Sequence, residues 1–281
     1  MDLSIIILNY KQANLIKYQL KKLYHYNFDF ESEIIVVDND SHDNISEVIE
    51  KNFPNVKLIT GKNTGYGGGN NFGIKSALGK YMLVLNPDIR IEKDVIEKLY
   101  KFIKNKEDIG LIAPRLINAD GSIQDTCFTF PDWKYPIYRR TKLANTKDGK
   151  MWLERFLMRK SNRTSTMQVD WIMGACFMIK KSTMESVGYF DENIFMYLED
   201  MDLCRRLWKQ NKAVYYMGEV SAIHLHQQAS GGRNIIKSLL NNKLSRIHLN
   251  SWLYYMKKYR GKKLPLNCPS EKANQTNSQV I

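Results

Sequence analysis

As far as Gly121, short aliphatic runs alternate with stretches whose apolar positions recur three or four apart. Ser4 to Leu8 is a β-branched run, and Leu15, Tyr18, Leu20 and Leu23 follow at roughly helical spacing. Ile34 to Val37 is a second buried strand ending in Asp38-Asn-Asp-Ser41. Ile45, Val48, Ile49 and Phe53 give the next helix its apolar stripe, and Pro54 ends it. Val56 to Thr60 predicts a third strand, Ile74 to Leu78 a helix and Tyr81 to Leu85 a fourth strand. Val95, Ile96, Leu99, Phe102 and Ile103 mark another amphipathic helix; Ile109 to Ile117 is extended, with a hairpin-type turn at Asn118 to Gly121. Strands alternating with helices call for a parallel sheet with helices on its faces.

Two interruptions in this rhythm carry chemistry. Pro87 cannot donate to a sheet ladder and restricts the residue before it, so the fourth strand stops near Asn86. Asp88 is thereby set at the carboxyl edge of a buried strand, where open α/β sheets bind ligands. It can serve there as a ligand for a hard cation holding a phosphate, or it can cap the next helix. The stretch Gly61 to Gly73 holds six glycines in thirteen residues. Such backbone can approach a ligand closely and cradle phosphate, or simply turn tightly. It is neither a Walker A loop nor a dinucleotide fingerprint, because no Gly-Lys-Ser/Thr follows and it comes after the third strand.

Beyond Gly121 the pattern changes. Gln124 to Gln168 is polar, basic and aromatic without clear period, as substrate elements and lids often are. Val169 to Ile179 predicts a strand kinked at Gly174. In Phe195 to Leu207, Leu203 and Leu207 share a helical face, with Glu199 and Asp200 at the helix start, where negative charge is favoured. Ala213 to Met217 and Val220 to His226 predict two strands, the second presenting His224 and His226 on one face. After Leu264 the chain is polar and is expected to be disordered.

Composition narrows the class. With 281 residues and 43% hydrophobic content the chain can build a large core. Its longest apolar run, Trp171 to Ile179, is far short of the ~20 residues of a membrane span. The N-terminus lacks the basic start and cleavage site of a signal peptide, and the four cysteines are scattered, so a cytoplasmic protein without disulfides or zinc is expected. The net charge of +13 invites anionic partners. It concentrates at Arg139 to Arg163, with nine Lys/Arg against two acids, and at Lys257 to Lys263, with five more. Aromatics flank both clusters (Trp133, Tyr135, Tyr138 and Trp152; Trp252, Tyr254, Tyr255 and Tyr259), which favours a membrane surface or anionic lipid over an ordinary solvated face.

The features fall in one order: Leu8-Asn9-Tyr10, Val37-Asp38-Asn39, Asn86-Pro87-Asp88, Trp171-x-x-Gly-Ala175, Leu198-Glu-Asp-x-Asp202 and His224. This set, above all VGYFDENIFMYLEDMDLCRR from Val187 to Arg206, resembles the family 2, GT-A-fold glycosyltransferases, closest to their rhamnosyltransferase-like branch. The resemblance runs from residue 2 to about 232. It implies an α/β GT-A fold: a Rossmann-like, mostly parallel sheet flanked by helices, with a C-terminal helical extension. Residues 1–118 would be the nucleotide-sugar-binding half and 119–232 the acceptor-binding and catalytic half. Residues 233–264 would form a basic aromatic extension and 265–281 the disordered tail.

The resemblance further implies inverting transfer of rhamnose, galactose or a similar hexose from a dTDP- or UDP-sugar to a saccharide hydroxyl. The acceptor would be lipid-linked and the setting bacterial surface-polysaccharide synthesis at the inner membrane face. Asp38 would hold the nucleobase, with Asn9, Tyr10, Asn63, Gly65 and Asn70 completing the pocket. Asp88 would bind Mn²⁺ or Mg²⁺ bridging the diphosphate, with Asn86 where the family's first acid stands. His224 is the expected second metal ligand and His226 its competitor. Asp200 would be the base, Glu199 and Asp202 supporting acids, and Trp171, Gly174 and Ala175 would line the cleft, with plain core packing the equal alternative for Trp171. A nucleotidyltransferase and a basic nucleic-acid-binding module are the rival classes; no nucleic-acid motif is present, and oligomeric state is open.

Overall fold

The computed structural model describes residues 1–225 and 242–270. In chain order the elements are β1 (Leu3–Asn9), α1 (Ala13–Leu23), β2 (Ser32–Asn39), α2 (Ile45–Asn52), β3 (Lys57–Gly61) and α3 (Gly65–Ser76). Next come β4 (Tyr81–Leu85), β5 (Ile89–Arg90), α4 (Lys93–Lys104), β6 (Ile109–Ile117) and β7 (Cys127–Phe128). Then follow α5 (Tyr135–Arg140), a 3₁₀ turn (Lys142–Asn145), α6 (Lys147–Phe156), β8 (Thr166–Gln168), β9 (Trp171–Ile172) and β10 (Cys176–Lys180). The remainder is α7 (Lys181–Val187), α8 (Glu199–Lys209), β11 (Ala213–His224) and α9 (Lys243–Lys258).

The main sheet has strand order β3-β2-β1-β4-β10-β6-β11-β5, with β8 alongside β11. Its first four strands are parallel, as the alternating pattern requires, and β1 is buried along its whole length. Beyond β4 the sheet becomes mixed, because β10 runs antiparallel between β4 and β6. The arrangement is the expected α/β architecture with helices on the sheet. Asn9, Asp38 and Asn86 all leave the sheet at its carboxyl edge, and β10 begins beside them, with Cys176 opposite Leu85.

Several expectations are corrected. The glycine-rich stretch is neither loop nor turn; from Gly65 onward it is helix α3. A Cβ at Gly69 would lie 2.6 Å from Leu8 Cδ1, and one at Gly73 2.6 Å from Ile6 Cγ2 and 2.9 Å from Val37 Cγ2. These two glycines let the helix axis settle onto β1 and β2. The two strands expected before His226 are one, β11, with its register against β6 slipping between Met217 and Ser221. The aromatic segment after Gln124 is a helical hairpin packed on α9, with the Tyr135 ring stacked 4.8 Å from that of Trp252.

The tail is also ordered where it is described. Cys268 is fully buried, and the Ser270 N–H donates to Asp170 Oδ1 at 3.0 Å. Asp170 is itself buried, so these donors satisfy a carboxylate that would otherwise be stranded in the interior. Among the described residues no helix is long and apolar enough to cross a membrane.

Candidate active site

One end of the candidate site is built from β1 and β2. Asn9 is buried, and its side-chain amide lies 3.2 Å from Asp38 Oδ1, 2.8 Å from Ser41 Oγ and 3.0 Å from Asp43 Oδ1. The Ser41 N–H and hydroxyl also donate to Asp38 Oδ1, so that oxygen is fixed from within. Asp38 Oδ2 makes no hydrogen bond among the described residues, and Tyr10, which follows Asn9 at the end of β1, is exposed. Asn9 therefore orients Asp38 rather than facing a ligand itself. Asp43 holds the start of α1 through the Ala13 N–H at 3.1 Å. Sequence reasoning passed over Ser41 and Asp43, although the acid-rich run after β2 contains them.

The neighbouring Asn39 is buried and ties down the entry to α3. Its amide donates to Asn63 Oδ1 at 3.2 Å and to the Gly65 carbonyl at 3.1 Å, while its Oδ1 accepts from the Thr64 N–H. Gly65 has φ +82, and a Cβ there would sit 1.9 Å from the Phe195 carbonyl oxygen. That same oxygen accepts the Tyr66 N–H at 2.8 Å. Asn70 departs from its expected role: it is buried, and its amide donates to the Tyr66 carbonyl at 2.9 Å.

Tyr66, which sequence reasoning missed, is the junction of the site. Its hydroxyl lies 2.6 Å from the Gly174 carbonyl oxygen and 3.0 Å from Asn86 Oδ1. Burial, then the charges of Glu199, Asp200 and Asp88, push its phenol well above the usual range, so it stays protonated. Across the same junction, the Gly174 N–H donates to Asp200 Oδ2 at 2.9 Å and the Met201 N–H to Asp200 Oδ1 at 2.8 Å. A Cβ on Gly174 would stand 3.2 Å from Asp200 Cβ, so this glycine makes room for the carboxylate rather than for a ligand. Ala175 is buried at the start of β10 and accepts the Asn86 N–H. Trp171 is not a cleft residue: it is buried, its ring stacks on Phe128 at 4.2 Å, and its indole N–H donates to the Thr129 carbonyl.

The turn into α8 is strained. Tyr197 and Leu198 both adopt left-handed backbone, φ +68 and +70, which costs non-glycine residues about 1–2 kcal/mol each. That strain brings Glu199 and Asp200 to the helix start. Asp200 is half-buried, and burial raises its carboxyl to about 6 against the opposing backbone hydrogen bonds from Gly174 and Met201. Glu199 is buried with Oε2 lacking a partner, and burial together with the Asp200 charge raises it well above the carboxylate range. Asp202 departs from the expected role of catalytic support. It is 0% exposed and faces α9, accepting from Arg206 Nε at 2.8 Å and from the Tyr259 hydroxyl at 2.8 Å, with Lys258 Nζ 2.5 Å away.

Asp88 and His224 meet because β5 pairs with the end of β11, setting His224 opposite Ile89; the Leu225 N–H also donates to the Asp88 carbonyl. His224 Nε2 lies 3.3 Å from Asp88 Oδ2. Gln124 fixes which ring nitrogen carries the proton. Its Nε2 faces two acceptors, Asn118 Oδ1 at 2.6 Å and the His224 carbonyl at 3.1 Å, so its Oε1 is the atom 2.8 Å from His224 Nδ1. In the neutral ring Nδ1 is then the donor, and the Nε2 lone pair faces a carboxylate oxygen. Two acceptors at this separation suit a shared divalent cation, whose adjacent ligands stand about 3 Å apart. Among the described residues no third His, Cys, Asp or Glu joins them. His226 lies outside the described residues.

With this geometry in view, the family model "Glycosyl transferase family 2" matches residues 4–188. The chain belongs to glycosyltransferase family 2. The transferase is 32% identical over 228 residues to the low-salt glycan biosynthesis hexosyltransferase Agl10 of Haloferax volcanii, covering 79% of this chain and 67% of that protein. It is 28% identical over 217 residues to an N-acetylglucosaminyl-diphospho-decaprenol L-rhamnosyltransferase of Mycobacterium tuberculosis, covering 72% and 68%. Among solved structures, GalNAc-T7 with UDP, GalNAc and Mn²⁺ superposes with a TM-score of 0.62 at 12% identity, covering 92% of this chain and 56% of that one. That likeness speaks for the GT-A fold alone.

Proposed function

We propose that the transferase moves a hexose, rhamnose, galactose or a close relative, from a dTDP- or UDP-sugar to a hydroxyl of a lipid-linked saccharide, with inversion. The observation that carries this reading is the pair of acceptors Asp88 Oδ2 and His224 Nε2, one turn of chain from the Asn86–Tyr66–Gly174–Asp200 chain of contacts. Asp38 Oδ2 is left to accept from a pyrimidine N3–H, while Asn63 and Gly65 shape the pocket edge. Asp88 and His224 would hold Mn²⁺ or Mg²⁺, which supplies positive charge to the departing diphosphate. Asp200 takes the proton from the acceptor hydroxyl as that oxygen attacks opposite the leaving group. A carboxylate raised to about 6 is still ionised at neutral pH and is a stronger base than an ordinary one. Glu199 keeps its proton, so its neighbour carries the negative charge alone.

The acceptor side rests on the rhamnosyltransferase relative, whose name describes a diphospho-decaprenol substrate, and on the two basic aromatic segments packed together. We place the protein at the inner face of the bacterial membrane as a peripheral enzyme; failure to bind anionic vesicles at low salt would count against that location.

A thermal-shift screen of dTDP- and UDP-sugars with and without Mn²⁺ tests the donor site. Stabilisation should require both sugar nucleotide and metal, and Asp88→Ala should lose it. Turnover should release nucleoside diphosphate; release of pyrophosphate would instead make the protein a nucleotidyltransferase.

A further inference from the structure

A second cavity lies away from Asp88 and Asp200. It has a volume of about 760 Å³ and sits between the α5–α6 hairpin and the end of α9, joining the two basic aromatic segments that lie far apart in sequence. Trp152, Phe156, Tyr255 and Tyr259 supply flat walls. Arg205 is part of the wall rather than a free cation: it stacks 4.0 Å over Tyr259 and donates to the Tyr255 hydroxyl and the Lys262 carbonyl. Asp132, the acid among the lining residues, accepts the Trp152 indole N–H and the Lys134 N–H.

Four further cations, Arg155, Lys257, Arg260 and Lys262, line the same cavity, and among the described residues no carboxylate pairs with the last three. The helix dipole accounts for a cation in the last turn of α9, but Arg260 and Lys262 lie past it. Beside the cavity the surface is apolar. Leu249, Leu253 and Met256 recur at i, i+4 and i+7 on α9 with exposures of 39%, 57% and 38%; Met256 lines the cavity, and Trp133, 65% exposed, lines it as well. A site for a soluble anion has no use for that greasy border, whereas a bilayer covers it while offering a phosphate to the cations.

We infer that this cavity receives the phosphate headgroup of an anionic membrane lipid, with Leu253, Met256 and Trp133 resting among the acyl chains. This rests on the membrane-side location proposed above and names the residues that make it. The source is a lipid; a free phosphate would engage the same cations without needing the apolar border.

Vesicle co-sedimentation of the full chain at low salt, on phosphatidylcholine vesicles with and without phosphatidylglycerol, tests the assignment. Wild type should bind only the anionic vesicles. Lys257→Ala/Arg260→Ala/Lys262→Ala should weaken binding about a hundredfold, at about 1 kcal/mol per cation. Lys21→Ala/Lys51→Ala/Lys101→Ala, which removes equal charge from exposed positions on α1, α2 and α4, should stay near wild type. Leu253→Ser should weaken vesicle binding without altering any thermal shift by inorganic phosphate. Equal losses in the two triple variants would overturn the cavity and leave only general electrostatics. A thermal shift by inorganic phosphate in a wild type that ignores vesicles would make this a free-anion site. If wild type ignores both probes, the membrane location falls with the cavity, while sugar-nucleotide turnover still judges the transferase reading separately.

Discussion

At Asp200 two effects oppose each other, and burial wins. The carboxylate accepts two backbone N–H groups yet stands at about 6, above the usual value near 4. As the general base it must be ionised, so kcat/KM should rise with pH along a limb near 6 and flatten above it. Asp200→Asn should abolish transfer and leave donor affinity nearly unchanged; unaltered turnover would remove Asp200 from the mechanism. The same shift carries a stability sign. The folded state binds this proton more tightly than the unfolded chain, so the carboxylate lowers stability progressively as pH rises from about 4 to 6. Asp200→Asn should therefore melt higher than wild type at pH 8, with the gain vanishing near pH 4. Gln124 acts one bond further out by aiming the His224 lone pair. Gln124→Leu should weaken Mn²⁺ affinity about tenfold in calorimetry, and ¹⁵N spectra of the metal-free protein should report a mixed His224 tautomer.

Helix α3 shows how an element can be misread. Six glycines predicted a loop on propensity alone, since each costs about 1 kcal/mol in a helix relative to Ala. Tertiary contact overrides that cost, because only a glycine face fits against Leu8, Ile6 and Val37. Gly73→Ala would gain propensity but press a methyl into two β-branched, stiff side chains. The balance should be a loss of about 1–3 kcal/mol in urea unfolding; a stabilised variant would show that the sheet can yield. Strands β1, β2 and β4 were legible because buried parallel strands write themselves as unbroken aliphatic runs. Order along the chain singled out Asp88 and His224, which the structure brings within 3.3 Å of each other, and Asp200, which it links to Asn86 through Gly174 and Tyr66. Asp202 turns away from the site and Trp171 takes its core alternative for one physical reason: a motif shows which residues recur together but not which way each side chain turns. Tyr66 and Gln124 were invisible because their partners are carbonyls and amides brought together by distant strands, which leave no local pattern.

Across the whole molecule, α8 faces two ways, presenting Asp200 to Gly174 and Asp202 to α9. Lys258 bridges Asp202 and Asp191, and the Tyr254 and Tyr259 hydroxyls complete the contact. Burial alone would raise Asp191, but hydrogen bonds from Lys258 and Asn193 outweigh it and hold the carboxyl at about 2. Its stabilising contribution is present above about pH 4 and is lost as the pH falls toward 2. Lys258→Met should cost about 1–3 kcal/mol at neutral pH by stranding buried carboxylates, and it should flatten this acid limb in a pH series of melts. Near the other end of the same acidic segment, Gly65 leaves no space for any side chain against the Phe195 carbonyl, and Tyr66 is bonded to that oxygen. Helix α3 and the turn into α8 are thus fitted backbone to backbone, like two halves of one casting. Grafting α3 from a relative would fail unless residues 195–200 travelled with it, so on the proposed reading donor binding and catalysis in this scaffold must be exchanged as one cassette.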